Sequence, residues 1–148
     1  MKNLLIPIDG SEFSTRAMEY GKKLAKLLNV EIVLLHIKDV RLPIHYYESG
    51  NVEEMKDSVQ KIIHKADEES SKIIEKAEGY FSDMKDKIEV VVLNGDPTHK
   101  IVEYVNNNDV ELTIMGSHGM GSGFQSLVLG SVANKVLHHV KKPVLIIK

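Results

Sequence analysis

The 148-residue sequence contains no cysteine and no tryptophan. Without cysteine, neither a disulfide framework nor a thiolate metal site is available. The chain must therefore hold itself together by burial, and at this length a core forms without covalent staples. Aromatic residues are scarce, at 5%, so that core has to be aliphatic. An excess of one charge is also missing: 19 Lys and Arg stand against 21 Asp and Glu, a net charge of -2. Nucleic acid and anionic membrane surfaces call for a basic excess that is not there. No apolar run approaches the roughly 20 residues of a membrane span. The opening "MKNLLIPIDG" has too short an apolar stretch for a secretory leader and meets an acid at once. Internal repeats and low-complexity segments are absent too. These absences lead us to expect a soluble, cytoplasmic, globular protein, folded as a single domain over residues 1–148.

What is present is a run of short Val-, Ile- and Leu-rich segments: "NLLIPI" (3–8), "VEIVLLHI" (30–37), "IEVVVLNG" (88–95), "VELTIMG" (110–116) and "PVLIIK" (143–148). They are continuous rather than alternating, as strands covered on both faces are in parallel sheets. Helical patterns separate them. Between Ser14 and Leu28, small or apolar residues recur at Ala17, Tyr20, Gly21, Leu24, Leu27 and Leu28, with Ser11 or Ser14 as N-cap. A longer pattern carries Met55, Val59, Ile62, Ala66, Ile73, Ala77, Tyr80 and Met84. Unbroken over 52–86 it would reach about 50 Å, long enough to suggest a kink or an overhanging end. Residues 96–108, with Pro97 near the first helical position, and 131–140 complete the set. Strand and helix alternating four times predict an open, doubly wound, five-stranded parallel sheet with helices on both faces. Residues 38–52 form the one sizeable loop, bringing His45, Tyr46 and Tyr47 together.

In such a sheet, ligands bind beyond the carboxyl ends of the strands. Asp9-Gly10-Ser11 stands there after the first strand, His36-Ile37 at the end of the second, Gly95-Asp96-Pro97 after the third. The fourth is followed by "GSHGMGSGFQSLVLGS" (116–131). In that stretch Gly116 and Gly119 offer close backbone approach and positive φ. Gly130-Ser131 opens the last helix, whose free N–H groups and dipole favour an anion. Taken alone, the stretch also reads as a turn and a cap. It contains no G-x-x-x-x-G-K-[ST], and "DGS" after the first strand excludes the G-x-G-x-x-G dinucleotide fingerprint. Asp9 and Ser11 are candidate helix caps and His36 a satisfied structural histidine. His118 faces either a ligand or solvent. Adjacent His138 and His139 point too far apart on a helix to share a metal. Asp9 alone cannot supply the acidic pair of a phospho-receiver site.

"LLIPIDGSEFSTRAMEYGKKLA", "VEIVLLHI", "GDPTHKIVEYVNNNDVELTIMGSHG" and "LGSVANKVLHHVKKPVLIIK" together resemble the universal stress protein family. The resemblance runs from end to end, with residues ~40–85 too generic to add to it. It implies strand order 3-2-1-4-5, an adenine nucleotide alpha hydrolase-like architecture, a stress-response role and a homodimer. The ATP-binding branch carries G-x2-G-x9-G-[ST], matched here by Gly116, Gly119, Gly130 and Ser131, with ten residues rather than nine between Gly119 and Gly130. The extra residue falls within "MGSGFQ", a flexible segment that absorbs it at small entropic cost.

Carried over by position, the resemblance implies an adenine and ribose pocket from Pro7, Ile8, Asp9 and Ile37. Met115, Gly116, His118 and Gly119 would wrap ribose and phosphate, and Gly130, Ser131 and Val132 would hold the distal phosphates. ATP would bring its own Mg²⁺ or Mn²⁺, and no dedicated metal residues are assigned. The expected function is an ATP-binding regulatory module acting through an unknown protein partner or through its dimer state. The alternatives are a slow ATPase and a pure interaction protein of the same fold. Catalysis looks poorly equipped: no activated nucleophile is visible, and no lysine stands in the glycine stretch to neutralise a phosphoryl transition state. The apolar edge strand around Val144 and Ile146 invites pairing with a second copy.

Overall fold

The computed structural model describes residues 3–42, 52–120 and 128–148. Each apolar run becomes a strand: β1 (Asn3–Ile8), β2 (Ile32–Lys38), β3 (Ile88–Asn94), β4 (Val110–Gly116) and β5 (Val144–Ile147). Between them lie α1 (Glu12–Leu28), α2 (Val52–Tyr80), α3 (Pro97–Asn107) and α4 (Ser131–His139). The strands form one parallel sheet in the order β3-β2-β1-β4-β5. This is the order that the family resemblance implied.

Continuous apolar runs arise because alternate residues of the central strands enter two separate cores. Leu4, Ile6 and Ile8 of β1, with Ile32 and Leu34 of β2, pack under α1 and α2. Leu5, Val33, Leu35 and Met115 pack under α3 and α4. Thus each face carries two helices. Of the edges, β5 is half buried throughout, while β3 mixes half-buried residues with exposed Glu89, Val92 and Asn94. For these two the expectation of full cover on both faces does not hold, because each has a neighbouring strand on one side alone.

One helical expectation is corrected, and the break that the length of the second helix suggested is present. The buried stripe of α1 is Ser14, Ala17, Met18, Gly21 and Ala25, whereas Tyr20, Leu27 and Leu28 stand 46%, 81% and 59% exposed. Small residues occupy the face that lies on the sheet: a Cβ on Gly21 would come within 2.4 Å of Ile6 Cδ1. The larger leucines belong to the last turn, away from that contact. The long second helix does not reach residue 86. It stops at Tyr80, and a 3-10 segment over Ser82–Lys87 follows, with Met84 in a non-helical conformation. Breaking there turns Phe81 (0% exposed) and Met84 (5%) into the core, which a straight helix would carry past the sheet. The loop residues His45, Tyr46 and Tyr47 lie outside the described residues, as do Gly121 and Gly123.

Candidate functional site

The ends of β1, β2 and β4 and the first turns of α3 and α4 surround a cavity of about 400 Å³, within the roughly 300–1,000 Å³ typical of small-molecule sites. It lies where the sheet order reverses about β1, at the switch point between β1 and β4.

One wall is apolar. Leu35 and Ile37 come from β2, Pro97 and Ile101 from α3, and Met115 and Ala133 from β4 and α4. The pairing of β1 with β2 ends at Ile8↔His36, so Ile37 projects beyond the end of β1. Leu35, Ile101 and Ala133 escaped sequence reasoning, and Pro97, placed beyond the third strand, was not assigned to the pocket. Their i, i+2 and i, i+4 spacings marked them as sharing a strand face and a helix face. Nothing local said that α3 leans over the end of β2.

The opposite end is polar and built mostly of main chain. Pro7, Ile8 and Asp9 arrive from β1, and Gly116, His118 and Gly119 from the exit of β4. Gly130, Ser131 and Val132 form the start of α4. With Ile37 and Met115 on the apolar wall, the eleven residues singled out from the sequence border one space.

Asp9 is exposed at the end of β1. Its Oδ1 accepts the Ser11 N–H at 2.9 Å. Ser11 in turn caps α1, its Oγ accepting the Ser14 N–H at 3.1 Å. Asp9 therefore braces the turn into α1, as a cap would, while Oδ2 faces Gly119. A Cβ on Gly119 would stand 3.0 Å from that oxygen.

The glycines work differently from the expectation. Among the described glycines, positive φ belongs to Gly10 (82°) and Gly95 (138°), not to Gly116 or Gly119. Gly116 is needed for packing, since a Cβ there would lie 2.5 Å from Phe13 Cβ and 2.8 Å from its carbonyl carbon. Gly130 is equally confined: its N–H donates to Ser117 O at 2.8 Å, and a Cβ would sit 2.9 Å from that same oxygen. These two contacts draw the start of α4 against the exit of β4.

His118 does not point freely into the cavity or into solvent. Its Nε2–H donates to Val128 O at 2.7 Å, which leaves Nδ1 to accept the Ser117 hydroxyl at 2.9 Å. Its ring packs on Phe13, centroids 5.1 Å apart. The side chain thus straps Val128 to the exit of β4. Phe13 was not anticipated, because its partners lie more than a hundred residues along the chain.

His36 has the structural role expected of it. Buried in β2, it donates from Nδ1 to Ile8 O and accepts at Nε2 from Ser70 Oγ, both at 2.9 Å. Asp96 caps α3 by accepting the His99 N–H at 2.9 Å, with Pro97 in the first turn.

The first turn of α4 defines what the polar end can do. Its N-cap is Gly130, which has no side chain to return a bond. The helix's own bonding begins with Asn134 N–H to Gly130 O, so the N–H groups of Ser131, Val132 and Ala133 have no partner within the helix. An uncapped helix start facing a cavity suits an anion. Among the described residues, neither lysine nor arginine lines the space. No group of three or more metal-ligating side chains occurs among the described residues either, and none of the helices there is long and apolar enough to cross a membrane.

Comparison with known proteins gives concordant results. The sequence model of the universal stress protein family matches residues 1–148. Universal stress protein YxiE of Bacillus subtilis is 30% identical over 145 residues, spanning 98% of this chain and 97% of its own. The solved structure of MJ0577, a universal stress protein of Methanocaldococcus jannaschii, superposes with a TM-score of 0.79 at 29% identity, covering 99% of this chain and 95% of that one. A universal stress protein from Archaeoglobus fulgidus, solved in complex with dAMP, shares the fold at 20% identity and a TM-score of 0.63. It covers all of this chain and 98% of the other.

Proposed function

This chain belongs to the universal stress protein family, and we propose that within it the 148 residues act as one adenine-nucleotide-binding regulatory domain. The observation that carries this reading is the cavity itself. An apolar slot at the end of β2 is joined to a polar end closed by the uncapped start of α4. A nucleotide has the same division, a flat apolar base at one end and an anion at the other. The bound dAMP of the Archaeoglobus fulgidus relative supports the ligand class.

The base would lie against Ile37, Met115 and the α3 residues Pro97 and Ile101. Asp9, held by the Ser11 N–H, would take ribose hydroxyls through Oδ2; a carboxylate repels phosphate and accepts from hydroxyl. Phosphate would meet the N–H groups of Ser131 and Val132 and the Ser131 hydroxyl. His118 would act through Val128 rather than on the ligand. ATP with Mg²⁺ or Mn²⁺ is the expected nucleotide, and any metal would arrive on it, because among the described residues the wall offers only the Asp9 carboxylate. Binding would change what the surface presents to a protein partner or to a second copy pairing along β5. That strand has a neighbour on one side only, and its four residues are all half buried.

The test is the nucleotide carried by freshly purified protein, released by denaturation and identified by anion exchange, followed by calorimetry with ATP and Mg²⁺. Bound adenine nucleotide or binding heat is expected. Protein that emerges empty and gives no heat overturns the reading. Light scattering at micromolar concentration should report a dimer; a monomer would remove the pairing along β5.

A further inference from the structure

A nucleotide cavity needs something to balance phosphate charge, and this one is short of it. Among the described residues lining it, the groups with formal charge chemistry are Asp9 and His118. His118 has both ring nitrogens engaged, with Val128 O and Ser117 Oγ. Asp9 is an anion whose Oδ2 faces Gly119, and the neighbouring His118 backbone abuts Gly130 at the start of α4. The stretch from 116 to 131 contains no lysine or arginine at all. Three cations on nearby elements are paired elsewhere, Lys38 with Asp67 at 3.0 Å, Lys100 with Glu103 at 3.2 Å and Arg16 with Glu12 at 2.6 Å; Lys135 of α4 is exposed and does not line the cavity.

What faces the phosphates is then the start of one helix, equivalent to roughly half a positive charge, and neutral donors. A nucleoside monophosphate carries about −1.5 to −2 at pH 7, and each added phosphate brings roughly one more negative charge. The three first-turn N–H groups of α4 without helical partners match the three acceptor oxygens of one phosphate. Further phosphates add repulsion against Asp9 with no side-chain cation to offset it.

From this, and resting on the nucleotide reading above, we infer that the cavity selects nucleotides of low phosphate charge. Adenosine monophosphate binds at least as tightly as metal-free ATP, and ATP becomes a competitive ligand only as its complex with a divalent cation. Affinity for the triphosphate then reports on free divalent cation, while affinity for the monophosphate does not.

The test is titration calorimetry of the full chain with AMP and ATP at physiological salt, first in EDTA and then in millimolar Mg²⁺. In EDTA, AMP is expected to match or exceed ATP. Mg²⁺ is expected to tighten ATP by about tenfold or more, the worth of a charged contact, and to leave AMP within about twofold. ATP binding about tenfold tighter than AMP in EDTA overturns the inference while leaving the nucleotide reading intact. If neither nucleotide binds in either buffer, both fall.

A second arm adds the missing charge. Met120 lines the cavity and is 71% exposed, so Met120→Lys places an ammonium at its mouth without disturbing the core. The variant should tighten metal-free ATP by about five- to tenfold and AMP distinctly less. A variant that binds metal-free ATP no better than the parent overturns the inference.

Discussion

On the α1/α2 side of the sheet, Asp83 takes Lys22 at 2.5 Å and Lys26 at 2.6 Å. Lys22 also donates to Tyr80 O at 2.8 Å and lies over the Tyr80 and Phe81 rings. Side-chain charge there is spent on tying the break after α2 to α1, above a closed core of Ala77, Phe81 and Met84. On the α3/α4 side, the helices part at the strand ends and leave 400 Å³ open. Its wall keeps backbone N–H groups without helical partners. In one layer charged side chains bridge the helices; in the other the uncapped start of α4 leaves main-chain donors at the cavity. The difference separates residues that hold the fold from residues that shape the site, although both sets are apolar or small in sequence.

The largest effect should come from the closed layer. Phe81→Ala empties a fully buried aromatic position and should cost about 3–5 kcal/mol in urea denaturation. Nucleotide affinity should stay within about twofold of the parent wherever the variant is folded. A large loss of affinity in folded protein would break the separation of the layers.

Gly116→Ala tests the seam between them. Its Cβ would meet the Phe13 main chain at 2.8 Å, which cannot rotate away, so a loss of about 1–3 kcal/mol is expected. Binding should weaken as well, because the same contact sets where β4 exits. Wild-type stability would show that α1 tolerates the shift.

Gly130→Ala should reverse the pattern of Phe81→Ala. Pressure against Ser117 O displaces the start of α4, and affinity for AMP should fall by about tenfold, with a smaller change in denaturation midpoint. Unchanged affinity would remove the helix start from the site.

The smallest effect concerns pH. The two lysine ammoniums hold the Asp83 carboxyl well below its ordinary value of 3.8. Because its folded value is depressed, the contribution to stability is present above the ordinary value. It is lost as pH falls from about 3.8 toward the depressed one. The charges are solvent-screened, so the effect should be modest. Denaturation midpoints of Asp83→Asn should converge on those of the parent as pH drops through that window. A constant gap between the two would show that the ion pairs do not contribute.

The fold could be read from residues 3–8, 30–37, 88–95, 110–116 and 143–148 because each is a short aliphatic run, whether buried on both faces as in β1 and β2 or only in part as in β3 and β5. The eleven positions that the family resemblance picked out border one cavity, although ten residues rather than nine separate Gly119 from Gly130. The cause behind individual glycines could not be read. Gly116 and Gly119 were expected to offer positive φ and close approach to a ligand, yet Gly116 answers to Phe13 and Gly119 to Asp9, contacts made across the fold. The α1 stripe is legible at Ala17, Gly21 and Leu24, but periodicity also puts Tyr20, Leu27 and Leu28 on the buried face, and these stand exposed.

The sequence by itself determined the alternation of strand and helix, the aliphatic character of both cores and the absence of a cation from residues 116–131, since these follow from composition and local period. Only the tertiary structure decided that α3 supplies a wall to the cavity, that His118 bonds to Val128 O, and that Asp9 braces α1 with one oxygen and faces Gly119 with the other. Each of those depends on groups brought together by sheet order, and distance along the chain carries no record of it.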